Sequence, residues 1–145
     1  MEEKRILAID YGEVRIGLAI TDPLNLFAYP LTTLPNNQEI FKELDIIIKK
    51  NNIVKIVLGN PLKENGSEAK ISALVKKFKD NLESKFNLKV ELLDERYTSE
   101  IARKNIIESV TSKKKRRDKT LLDMNAAYIL LQDYLKTVNN NKSKV

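Results

Sequence analysis

The sequence predicts an α/β fold in which a mixed five-stranded sheet carries helices on both faces. Short turns join the first three predicted strands, so these strands should form an antiparallel meander. Helical segments precede each of the last two strands, which should therefore be parallel and follow right-handed crossovers. The predicted order of elements is β-β-β-α-β-α-β-α-α.

Five apolar runs have the length of strands and are bounded by turn residues. They are Arg5–Tyr11, Arg15–Thr21, Phe27–Leu34, Val54–Gly59 and Leu88–Leu93. Gly12-Glu13-Val14 separates the first two runs, which predicts a hairpin. The fourth run is almost continuously apolar, as expected for a buried strand beside a parallel neighbour. The fifth alternates polar and apolar residues, which is typical of a half-exposed edge strand.

Apolar residues at helical spacing predict the helices. The first helix should cover residues 38–50, and the second should begin after Ser67, a suitable N-cap. A third should begin at Thr98 or Ser99 and continue to Glu108, and the last should cover Thr120–Val138. We expect residues 1–138 to form a single domain and residues 139–145 to be a disordered tail.

The composition favours a globular protein of the cytoplasm. The chain has 145 residues, of which 42% are hydrophobic and 32% charged, enough for one buried core. Its apolar runs are too short to span a membrane, and the residues that follow Met1 lack the pattern of a signal peptide. We therefore expect no membrane association.

The absence of Cys and His restricts the chemistry. It excludes disulfides, zinc-thiolate sites, Cys nucleophiles and histidine general bases, so any catalysis must use carboxylates. The formal net charge of +6 suits a polyanionic substrate bound around a metal. A compositional bias towards Lys, Asn and Ile explains this charge equally well.

At three places in the chain, acidic residues lie where a solvated charge is not the natural choice. Asp10 ends the first strand, where α/β sheets bind ligands, although it could simply initiate the hairpin turn. Asp94 and Glu95 follow the fifth strand, either as ligands or as charges favoured at a helix start. Asp123 lies near the start of the last helix, either as a ligand or in a capping box with Thr120.

The predicted topology brings these acids to one crevice. It lies at the ends of the parallel strands and at the N-terminus of a covering helix. Carboxylates that meet there would repel one another unless a cation held them. An all-oxygen site suits Mg²⁺ or Mn²⁺, completed by water and substrate phosphate. Gly12 should leave room there for a phosphate or for another backbone segment.

A run of positive charge precedes the last helix. It comprises Lys113, Lys114, Lys115, Arg116, Arg117 and Lys119. We predict that this basic loop is mobile and grips the phosphate backbone of a nucleic acid. A solvated surface run is the alternative.

Four motifs occur in order along nearly the whole chain. The first is Ile9-Asp10-Tyr11-Gly12 with Arg15-Ile16-Gly17-Leu18-Ala19 and Thr21-Asp22, and the second is Ile56-Val57-Leu58-Gly59-Asn60-Pro61-Leu62 followed by Asn65-Gly66-Ser67. The third is Asp94-Glu95-Arg96-Tyr97-Thr98-Ser99, and the fourth is Leu122-Asp123-Met124-Asn125-Ala126-Ala127 leading into Leu130-Leu131-Gln132-Asp133-Tyr134-Leu135. Together they resemble the YqgF (RuvX) family of nucleases of small-subunit ribosomal RNA precursors, also called Holliday junction resolvase-like.

The resemblance implies an RNase H-like fold and a nuclease that hydrolyses phosphodiester bonds, at the 5′ end of precursor 16S ribosomal RNA. It implies two divalent ions, Mg²⁺ or Mn²⁺, held by Asp10, Glu95 and Asp123, with Asp10 bridging both. Candidate substrate contacts are Gly12, the phosphate clamps Arg15 and Arg96, the hydrogen-bond donor Thr98 and the basic loop. The expected partners are RNA or branched DNA and a ribosomal precursor particle.

The chain departs from the related RuvC-type pattern in two places. RuvC-type enzymes carry an acid at the end of the fourth strand, where this chain has Gly59-Asn60-Pro61, so the second ligand must come from Asp94-Glu95. They also carry a second acid in the last helix, and none stands close beside Asp123 here.

Three other functions are compatible with parts of this sequence. One is a Holliday junction resolvase that acts on DNA, and another is a non-catalytic nucleic-acid-binding or transcription-associated module. The third is an actin-like ATPase, which also begins with an Asp-x-Gly hairpin. That class needs two such domains around the nucleotide, and 145 residues supply one.

Overall fold

The computed structural model describes residues 4–60, 68–94 and 119–143. These residues form β1 (Arg5–Asp10), β2 (Arg15–Thr21), β3 (Ala28–Pro35), α1 (Ile40–Lys50), β4 (Ile53–Asn60), α2 (Glu68–Phe86), β5 (Lys89–Asp94) and α3 (Lys119–Ser143). The helix predicted from Thr98 or Ser99 to Glu108 lies outside the described residues. Each of the five predicted strands is present, with its ends within a few residues of the prediction.

The five strands form one mixed sheet in the order β3-β2-β1-β4-β5. β1 pairs with β2 and β2 with β3 in antiparallel register, whereas β1 with β4 and β4 with β5 are parallel. The predicted meander followed by two parallel strands is confirmed. Because β1, β4 and β5 run in the same direction, all three end at one edge of the sheet, which we call the carboxyl edge.

Helices cover both faces of this sheet and bury two separate cores. In β1, Leu7 and Ile9 pack on the side of α1 and α2, whereas Ala8 packs on the side of α3. This is the alternation that a strand buried on both faces requires. The α3 side is rich in small residues, among them Ala19 and Ala28. Their short side chains let α3 approach the sheet closely.

The last helix is longer than the sequence predicted. α3 continues to Ser143, so residues 139–143, which we expected to be disordered, are helical. This Asn- and Lys-containing segment holds no Gly or Pro that would end a helix, and adding a turn to an existing helix costs little. No helix among the described residues has the length and apolar content needed to cross a membrane.

Thr21 and Asp22 of the first motif stabilise the sheet at the edge opposite to the carboxyl edge. The Thr21 hydroxyl accepts a hydrogen bond of 2.9 Å from the backbone N–H of Ile6. The Asp22 carboxylate accepts hydrogen bonds from the backbone N–H groups of Leu24, Leu26 and Phe27. Burial raises the pKa of Asp22, but these hydrogen bonds outweigh it and the pKa lies below its ordinary value. This part of the motif is therefore explained by the turn between β2 and β3.

Candidate active site

Asp10 is the last residue of β1 and lies at the carboxyl edge. Its relative exposure is 9%, and it is the one buried charged residue among those that the structure describes. It pairs with Gly17 of β2 and, by strand alternation, shares the α3 side of the sheet with Ala8. Acidic side chains are rarely buried unless they are paired or bind a cation. A role for Asp10 as a metal ligand stays a prediction.

Arg15 begins β2 on the same side of the sheet. It lies two residues before Gly17, the cross-strand partner of Asp10, so Arg15 and Asp10 are diagonal neighbours. The Cβ atoms of such neighbours are about 7 Å apart, within reach of a long side chain. Arg15 is half-buried. Two residues predicted for the site, one acidic and one basic, thus stand together at the carboxyl edge.

Gly12 closes the hairpin between β1 and β2. A Cβ atom added at this position would lie 2.3 Å from the carbonyl oxygen of Arg15, far inside van der Waals contact. The close approach that the sequence predicted at Gly12 is thus made by backbone, and a contact with phosphate stays a prediction. Asn36, the residue after β3, donates from its side chain to the carbonyl of Gly12 at 2.8 Å. Its backbone N–H also donates to Val14, at 2.9 Å.

Replacing Gly12 with Ala is expected to lower the free energy of unfolding by about 1 to 3 kcal/mol, because the new methyl group must displace a strand backbone. Chemical denaturation of both proteins measures the difference. Val14→Ala is the matched control, since Val14 lies in the same turn, is 69% exposed and should change stability by less than about 0.5 kcal/mol. A Gly12→Ala protein of unchanged stability that no longer binds RNA would instead show that Gly12 contacts the substrate.

The orientation of α3 brings its first turns to the carboxyl edge. Its residue Tyr134 contacts Lys55, which pairs with Ile6 near the start of β1. The helix runs from there over the buried side of the sheet, since Ala127, seven residues earlier, lies in the core with Ala8. Asp10 lies four positions after Ile6 in β1, a distance of about 13 Å.

About nine residues of helix span the same 13 Å. Counted back from Tyr134 this length ends near Asn125, within two residues of Asp123. Position 123 also precedes Ala127 by one helical turn, on the same face of α3. The backbone at Asp123 therefore lies near the level of Asp10.

The start of α3 argues against the capping-box interpretation of Asp123. That interpretation needs Thr120 to precede the helix as its N-cap residue. The helix instead begins at Lys119, so Thr120 is already helical and Asp123 is its fifth residue. Thr120 and Asp123 therefore do not occupy the N-cap and N3 positions of a capping box.

Most other predicted site residues lie outside the described residues. These are Glu95, Arg96, Thr98, Lys113, Lys114, Lys115, Arg116 and Arg117. Within residues 4–60, 68–94 and 119–143, no three acidic side chains with known positions lie close enough together to hold a metal ion. Asp10 is the single predicted ligand whose side chain belongs to that set.

A cluster that the sequence analysis did not single out links β4, β5 and α3. Lys55 donates a hydrogen bond to the hydroxyl of Tyr134, and its Nζ lies 2.9 Å from Oε2 of Glu91. Burial lowers the pKa of Lys55, but the contacts with Tyr134 and Glu91 outweigh this and raise it. The same Lys55 contact lowers the pKa of Glu91. Both groups are therefore charged at neutral pH. The available signal was a Lys inside the apolar run of β4.

Comparison with known proteins identifies relatives along nearly the full chain. A protein of Chlorobium phaeobacteroides named "Putative pre-16S rRNA nuclease" is 41% identical over 138 residues, which cover 94% of this chain and 95% of the relative. A protein of the same name from Flavobacterium psychrophilum is 39% identical over 132 residues, covering 90% and 96%.

Two solved structures share the fold. T. thermophilus RuvC in complex with Holliday junction substrate aligns with a TM-score of 0.57 at 12% identity, over 92% of this chain and 96% of that one. Fowlpox virus resolvase in complex with Holliday junction DNA aligns with a TM-score of 0.54 at 14% identity, over 92% and 98%. At these identities the likeness shows the RNase H-like fold alone. Residues 4–137 match the RuvX family, described as Holliday junction resolvase. The chain belongs to the RuvX family.

Proposed function

We propose that this chain is a cytoplasmic, divalent-metal-dependent nuclease that cleaves phosphodiester bonds at the 5′ end of precursor 16S ribosomal RNA. One observation carries the proposal: the buried carboxylate of Asp10 lies at the carboxyl edge, near the level of Asp123 in α3. The names of the full-length relatives support the substrate. The family supports the reaction class.

Asp10, Glu95 and Asp123 are the proposed ligands of two Mg²⁺ or Mn²⁺ ions. The alternation of β5 favours Glu95 over Asp94, because Leu93 packs on the α3 side whereas Leu92 packs on the opposite side. Glu95 stands two positions after Leu93 in the sequence, the spacing that an alternating strand places on one side. Carboxylate oxygens are the donors that these ions prefer. The sequence contains no His or Cys that could compete for them.

The bound ions would supply an activated water and neutralise charge on the leaving oxygen. Asp10 holds its carboxylate on a central strand, where packing on both faces fixes its position. Arg15, its diagonal neighbour, is proposed to bind a phosphate oxygen of the substrate and offset its charge. Arg96 and Thr98, three residues or fewer beyond Glu95, are proposed to add a second phosphate contact and a hydrogen bond.

The substrate is tested by incubating the full chain with precursor 16S ribosomal RNA and, separately, with four-way DNA junctions, in Mg²⁺, Mn²⁺ or EDTA. We expect metal-dependent cleavage of the RNA and no cleavage in EDTA. Preferential cleavage of the junction would instead make the chain a resolvase. Tight binding to either substrate without cleavage in any metal would favour the non-catalytic module.

A further inference from the structure

The cluster of Lys55, Glu91 and Tyr134 sits where α3 crosses the starts of the parallel strands. It joins the three elements β4, β5 and α3 by a hydrogen bond and an ion pair within a mainly apolar interface. The Lys55 and Glu91 side chains are 24% and 41% exposed. Loss of hydration offsets much of the attraction in such a half-buried ion pair, so its contribution to stability is small. The direction of the hydrogen bond between Lys55 and Tyr134 is the larger consequence.

The rest of the interface is apolar. It combines small residues, including Ala8, Ala19 and Ala127, with the large side chains of Leu130, Leu131 and Leu135. Apolar burial stabilises this packing but is not directional. A hydrogen bond from Lys55 to the Tyr134 hydroxyl, in contrast, tolerates only a narrow range of positions.

The cluster and the proposed metal site lie at opposite ends of the same helix segment. Tyr134 and Asp123 are eleven residues apart, which corresponds to about 16 Å along a helix. Three turns of α-helix transmit an axial displacement almost undiminished, since shortening them would break backbone hydrogen bonds. Any shift of α3 at Lys55 is therefore a shift of Asp123 relative to Asp10.

We propose that Lys55, Glu91 and Tyr134 form a positioning clamp that sets the axial position of α3, and with it the distance between Asp123 and Asp10. This proposal depends on the proposed metal site. The clamp itself contacts neither the metal nor the substrate. Lys55 is its central residue, because it contacts both of the others. Glu91 fixes the Lys55 ammonium, and Tyr134 carries the contact to α3.

The test measures Mn²⁺ binding to the full-length protein by electron paramagnetic resonance, without substrate. Tyr134→Phe keeps the buried ring and removes the hydroxyl, and Lys55→Met removes the ammonium and keeps the chain length. We expect each to raise the dissociation constant for Mn²⁺ about tenfold, the size typical for groups that orient a ligand. Lys79→Met is the matched control, since Lys79 pairs with Glu83 within α2 at 2.8 Å. It should leave Mn²⁺ binding unchanged.

A double-mutant cycle separates positioning from general stabilisation. In an Asp123→Asn background, Tyr134→Phe should weaken Mn²⁺ binding no further, because the ligand that it positions is already lost. A merely structural role would lower the melting temperature and leave Mn²⁺ affinity unchanged at temperatures where the protein is folded. That result, or equal effects in both backgrounds, would overturn the clamp. Absence of Mn²⁺ binding to the wild type would overturn the proposed metal site itself, and the clamp with it.

Discussion

Replacing Asp10 with Asn is expected to abolish cleavage without destabilising the metal-free protein. Asn preserves the shape of the side chain and removes its charge. Removing a single stabilising donor from an active site already costs 10²- to 10³-fold, so losing a bridging ligand should reduce the rate by at least about 10³-fold. Cleavage of precursor RNA in Mn²⁺ measures this loss.

Stability without metal distinguishes a ligand from a structural acid. Two carboxylates about 4 Å apart repel each other by roughly 4 kcal/mol at an effective dielectric constant of 20. Removing one charge from a ligand cluster should therefore leave the metal-free melting temperature unchanged or raise it. Mn²⁺ should stabilise the wild type more than Asp10→Asn, because it binds the folded state preferentially. A marked loss of metal-free stability would make Asp10 a structural turn residue.

The same comparison applies to Asp123, with a control on the same helix. Asp123→Asn should behave like Asp10→Asn, whereas the exposed Asp133→Asn should retain activity. If Asp123 only capped the helix, Asp123→Ala would cost roughly 0.5 to 2 kcal/mol and keep its activity. An active but destabilised Asp123→Ala protein would contradict the site of three ligands.

Local sequence patterns were sufficient to predict the sheet and the position of Asp10. The turn at Gly12 dictated an antiparallel hairpin, and the helical segment before Ile53 dictated a parallel crossover. These two features together determine which strands end at the carboxyl edge. Asp10 could therefore be placed at the carboxyl edge, because a strand end depends on nearby residues only.

Features that depend on distant residues were not predictable. Lys55 and Tyr134 are 79 positions apart, and nothing in either neighbourhood specifies the other. Sequence spacing likewise could not tell whether backbone or substrate fills the space above Gly12, since the Arg15 carbonyl reaches it only when the hairpin closes. The prediction for the end of α3 was wrong because a polar composition does not by itself prevent a helix, and no residue there ends one.

Replacing Lys113, Lys114, Lys115 and Arg116 with Ala is expected to weaken RNA binding strongly and to reduce its salt dependence. Each phosphate contact releases condensed counterions, so the slope of log K against log[salt] reports the number of contacts. If about four residues of the basic loop touch phosphate, the slope should flatten by about 3 to 4 units. Binding measured at several salt concentrations gives this slope directly.

The effect of net charge must be distinguished from that of direct phosphate contacts, since removing four positive charges also weakens the long-range attraction between protein and RNA. The control replaces four exposed lysines of α1 and α2 with Ala, which removes the same number of positive charges. These are Lys49, Lys50, Lys76 and Lys77. Long-range attraction is screened within about 8 to 10 Å at physiological ionic strength, so these positions should change affinity slightly and the slope hardly at all. Equal slopes for the two variants would mean that the basic loop contributes only net charge. A slope flattened only by the loop substitutions would place the phosphate backbone against the segment that leads into α3 and Asp123.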